Sequence, residues 1–139
     1  MDAAELLARQ FDEIISEAAE KMARSHLRSY ETGGAAQTRE RLKALCSTLL
    51  ESLQTNSPSS MIRYAEKIGE ERFSAGFALA EVQTAFNVLE ESIWNKILEE
   101  MKPVEFAGAV DSVNEMLRTG KEAIARIFFS NISTFPPRA

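Results

Sequence analysis

The chain has 139 residues, 45% of them apolar and 27% charged, and carries a formal net charge of −5 from 16 basic and 21 acidic side chains. That describes one ordinary domain with enough chain to bury a core, and no basic field for nucleic acid or an anionic membrane. A single cysteine, Cys46, and a single histidine, His26, exclude an internal disulfide and a multi-cysteine metal site.

The N-terminus, MDAAELLARQFDE, lacks the basic start and unbroken apolar run of a signal peptide. No stretch approaches the ~18 consecutive apolar residues of a membrane span. The expectation is a cytoplasmic protein without a membrane segment.

Leu7, Phe11, Ile14, Ala18 and Met22 recur at helical spacing and place the first helix within residues 3–30. Glu17–Lys21 and Glu20–Arg24 are i, i+4 pairs on its wet side. Thr32-Gly33-Gly34 supplies its stop. A second helix over 36–54 carries Leu42, Leu45, Leu49 and Leu53, with Cys46 beside them. The break Thr55-Asn56-Ser57-Pro58 follows, and Ser59 or Ser60 is the expected cap of the next helix.

The third helix, about 60–75, sets Ala65, Gly69, Arg72 and Gly76 on one face, where small residues admit a close neighbour. Gly76 suits a helix stop. After Phe77 a fourth helix runs to about Met101 with Leu79, Val82, Phe86, Leu89, Ile93 and Ile97 in a regular seam. Pro103 fits the first turn of a fifth helix, whose seam is Phe106, Val110, Val113, Leu117, Gly120, Ile124 and Ile127. The run ends in Ile127, Phe128, Phe129 and Ile132, more apolar surface than one face can bury, and hence a candidate interface. Short connections and broad stripes predict an all-α fold, an antiparallel helical bundle of about five helices. One domain over 1–135 is expected, with 136–139 a tail or the start of a linker. Its expected centre is the segment from Tyr64 to Ile97, read as a packed helical hairpin.

Chemistry is sparse. His26 lacks the lysine and glycine expected after a phospho-accepting histidine, and Ala23 stands where a Glu-x-x-His metal site needs glutamate. Cys46 among leucines reads as a buried, inert thiol. Adjacent glutamates, such as Glu90-Glu91, diverge around a helix and form no acid/base pair. Arg72 lies beside the seam and needs a partner. Glu81 or another carboxylate of the fourth helix is the expected one, and an anionic ligand is the alternative.

Ile68-Gly69-Glu70-Glu71-Arg72, then Gly76-Phe77-Ala78-Leu79-Ala80-Glu81, then an apolar helix to Ile93-Trp94, resembles the RsbRD N-terminal domain family. The resemblance covers about residues 5–130 and rests on the elbow residues Gly69, Arg72, Gly76, Phe77, Leu79 and Glu81. It implies a bacterial regulatory or input domain without catalysis, of the kind that precedes a STAS domain in RsbR-type stressosome proteins. Such a domain works by contact with a protein partner or as a homodimer. The alternative is a small-molecule or cofactor sensor with a pocket near Arg72, Phe86 and Trp94. No catalytic residue, metal ligand or resident cofactor is expected.

Overall fold

A computed structural model describes residues 1–134, all of it helices and short connections. Phe135 and the expected tail at 136–139 lie outside the described residues. The helices are α1 (Ala3–Ser25), α2 (Arg28–Gly33), α3 (Ala35–Thr55), α4 (Ser59–Ser74), α5 (Leu79–Glu100) and α6 (Pro103–Thr134). The bounds of α3 to α5 fall within a residue or two of those predicted, because periodicity and breakers agree there.

The first segment is the exception. His26 adopts the left-handed conformation at φ 50° and divides the segment expected over 3–30 into α1 and the short α2. A histidine can take that conformation, but at a steric cost that glycine avoids, so composition does not announce the break. Asp2 and Glu5 close a capping box on α1: the Glu5 N–H donates to Asp2 Oδ1 at 2.9 Å, and the Asp2 N–H donates to Glu5 Oε1 at 3.4 Å. At α4 neither Ser59 nor Ser60 is the cap. Ser57 Oγ instead accepts from the Ser59 N–H at 3.2 Å.

Cross-helix pairs give the directions. Lys21 meets Glu91 at 2.9 Å and Lys96 meets Glu13 at 2.6 Å, so α1 and α5 run antiparallel. Lys21 thus turns to α5 rather than to Glu17. Trp94 Nε1 donates to Asn114 Oδ1 at 3.0 Å and Lys121 Nζ to Asn87 Oδ1 at 2.9 Å, which sets α5 and α6 antiparallel too. Gly69 abuts Ile127 and Met61 abuts Gly120, so α4 and α6 lie parallel. Leu7, Ile14, Leu42, Leu49, Met61, Phe86, Leu89, Ile97 and Leu117 are fully buried in one continuous core.

One pairing differs from the expectation. α4 and α5 are joined by residues 75–78, yet they barely touch. α4 packs on α6 and α3, while α5 packs on α1 and α6. The segment from Tyr64 to Ile97 is therefore an elbow whose arms open around α6, and not a packed hairpin. Gly120 marks the wedge: a Cβ there would lie 2.8 Å from both Met61 Sδ of α4 and Phe86 Cε2 of α5.

Candidate functional site

The elbow is built by backbone geometry first. Gly76 sits at φ 85°, the left-handed region open to glycine. The Phe77 N–H donates to the Arg72 carbonyl at 3.0 Å and the Gly76 N–H to the Phe73 carbonyl at 3.1 Å. These two bonds satisfy the last carbonyls of α4 and turn the Phe77 ring inward. Leu79, half-buried against the core, opens α5.

Glu81 then ties the elbow to α2. Its carboxylate accepts from the Ala78 N–H at 2.9 Å, the Ser29 N–H at 2.9 Å and the Ser29 hydroxyl at 2.7 Å. Desolvation pushes its pKa up, but the bonds from the Ser29 and Ala78 N–H groups outweigh it and hold the carboxyl below its ordinary value. The expected ion pair between Glu81 and Arg72 is absent. Glu81 is taken up by α2, and Arg72 is left with Glu71 as its carboxylate neighbour.

Arg72 joins a different group. Only 9% of the residue is exposed, and its nearest carboxylate is Glu71, half-exposed and 3.8 Å away. Its guanidinium carbon lies 5.7 Å from the Phe77 ring centre. Arg41 of α3 approaches the same ring at 5.0 Å and the Tyr30 ring at 5.8 Å. Tyr30 meets Phe77 edge-on with centroids 5.4 Å apart. Arg41 Nη1 and Arg72 Nε are both buried and have no hydrogen-bond partner among the described residues. Desolvation, then the charge of Arg72, lowers the pKa of Arg41. Burial raises the pKa of Tyr30 against the pull of Arg72 and Arg41, and pushes that of Tyr64 up to about 12. Both phenols therefore remain protonated donors at neutral pH.

The expected grouping of Arg72, Phe86 and Trp94 does not form. Arg72 and Phe86 line a cavity of about 10 Å³, room for at most one water, whereas Trp94 faces Asn114 of α6. What sequence reasoning missed is Arg41 with Tyr30 and Tyr64. A signal for Arg41 existed: it stands three residues after Thr38 and four before Leu45, both buried, so a charge occupies a core-facing stripe.

The candidate interface divides in two. Phe128 is 3% exposed and meets Phe73 edge-on at 5.4 Å, so it belongs to the core. Ile127 is half-buried, its Cβ and Cγ2 each 3.1 Å from where a Cβ on Gly69 would stand. Phe129 and Ile132, an i, i+3 pair near the end of the helix, are 61% and 55% exposed.

Cys46 is fully buried, and burial alone pushes its thiol up to about 12, which matches the inert thiol expected. His26 is exposed, with Nδ1 2.9 Å from Glu31 Oε2. Among the described residues no group of histidine, cysteine and carboxylate side chains could hold a metal ion, and no helix is long and apolar enough to cross a membrane.

A family model described as "RsbT co-antagonist protein rsbRD N-terminal domain" matches residues 4–128, the bundle and the whole elbow. No curated protein and no solved structure matches the chain.

Proposed function

The chain belongs to the RsbRD N-terminal domain family, a family of stressosome-type signalling input domains, and from that premise we propose that it acts without catalysis, by protein–protein contact. The contact is with a second copy of the chain, through the outer face at the end of α6, and its setting is the cytoplasm. One observation carries this reading: Phe129 and Ile132 stand exposed one turn apart, while Phe128, the residue before Phe129, is buried. Paired large apolar side chains held on a rigid helix favour burial against a partner. α6 is also the longest helix, 32 residues or about 48 Å, and so suits the passage of a packing change along the bundle.

Sedimentation across a concentration series tests the reading, with Phe129→Asp/Ile132→Asp as the comparison. Wild type should associate, and the variant should sediment as a monomer with unchanged helicity and the Tm of dilute wild type. A wild-type monomer at the highest concentration sinks the proposal.

A further inference from the structure

We propose that the cleft between α3 and α4, walled by Arg41, Tyr64, Lys67 and Arg72, binds a small oxyanion, a carboxylate or phosphate group. This inference does not depend on self-association and would survive its failure. The cleft is open to solvent and has a volume of about 420 Å³. Three cationic side chains line it. Of its two carboxylates, Glu40 already meets Lys43 at 3.4 Å, which leaves Glu71 as the counter-charge. In a chain of net charge −5, this is a local excess of positive charge.

The excess is poorly compensated. The Phe77 ring offers its face to both guanidinium groups, and Arg72 also has Glu71 and the Tyr30 hydroxyl beside it, but neither the ring nor these groups supply an acceptor to Arg41 Nη1 or Arg72 Nε. Arg41 Nη1 and Arg72 Nε therefore remain as buried donors without acceptors. Such donors are costly to leave unmade, and a site with two of them from separate helices is unusual unless something completes it. Guanidinium groups match carboxylate and phosphate oxygens in geometry and charge, and a small shift of the Arg41 side chain would open its fork to the cleft. Tyr64 adds a hydroxyl donor at the wall. An oxyanion bound here would bridge α3 to α4 next to the elbow, so its arrival would bear on the helix that packs against α6.

The test is a titration of the whole chain with inorganic phosphate and, separately, with acetate, against sodium chloride at matched ionic strength. Wild type should gain saturably in Tm, by roughly 4 °C at ten times the dissociation constant. The Arg72 Nε–H cross-peak should shift along the same isotherm. Arg41→Met and Arg72→Met should lose the increment, and Lys67→Met, a surface change that keeps the fold intact, should weaken it several-fold. A response to phosphate alone, to acetate alone or to both supports the site and names its ligand class. A gain that chloride reproduces, an Arg72 cross-peak that stays still, or an increment intact in the arginine variants overturns it.

Discussion

The two ends of α4 are held by different physics. Along its length α4 lies against α6 through close apolar contacts at two glycines. A Cβ on Gly69 would sit 3.1 Å from Ile127, and one on Gly120 would sit 2.8 Å from Met61 and Phe86. At its C-terminal end α4 turns through the elbow, where polar bonds dominate: Glu81 to Ser29 and Ala78, with two arginines around Phe77. An added methyl at either glycine would force its neighbours to shift. The elbow is held by polar bonds and leaves Arg41 Nη1 and Arg72 Nε buried without acceptors among the described residues.

The sharpest way to break the contrast lies at the end of the seam. Phe128→Ala should cost about 3 kcal/mol in urea unfolding, while Phe129→Ala should change stability by less than about 0.5 kcal/mol in dilute monomer. Equal losses would mean that both rings are buried, and the exposed face of α6 would vanish. Next comes Gly120→Ala. A better helix former should still lose about 2 kcal/mol, since the methyl would lie 2.8 Å from Cε2 of Phe86, a ring buried in the core. A gain instead would show that the wedge is loose.

Glu81→Gln probes the elbow and should cost about 1 kcal/mol at pH 7, given a partly exposed carboxylate. The folded pKa of Glu81 is depressed, so its contribution is present above the ordinary value of 4.5 and is lost as pH falls through the lowered one. The urea midpoints of wild type and variant should therefore converge on acidification below that range. A gap that stays constant would assign the bond to geometry rather than charge. The smallest effect is expected at Asn56, left-handed at φ 51°. Asn56→Gly should stabilise by about 0.5 kcal/mol in the same assay, since asparagine already tolerates that conformation.

Legibility followed range. The helices from Ala35 to Glu100 could be read because their periodicity, glycines and prolines are local. Gly69 and Gly120 announced close contact but not with which neighbour. Arg72 announced an unmet charge, and Arg41 carried the same signal on its own stripe. What neither disclosed was that they meet, since residues 31 positions apart on different helices share no local pattern. The break at His26 escaped for another reason: a non-glycine residue took the left-handed turn, and composition gives no warning of that.

The amino-acid order alone determined that this chain is helical, where most helices begin and end, which faces are apolar, and which family motif it carries. Each of these depends on neighbours within a turn or two. Tertiary structure alone decided that α6 wedges between α4 and α5, that Glu81 serves α2 instead of Arg72, and that Phe128 turns inward while Phe129 turns out. The reason is that an apolar stripe specifies burial without specifying a partner. Among helices of similar stripe, the choice falls to shape: the notch at Gly69 of α4 receives Ile127 of α6, the notch at Gly120 of α6 receives Met61 and Phe86, and the elbow's arms part around that helix.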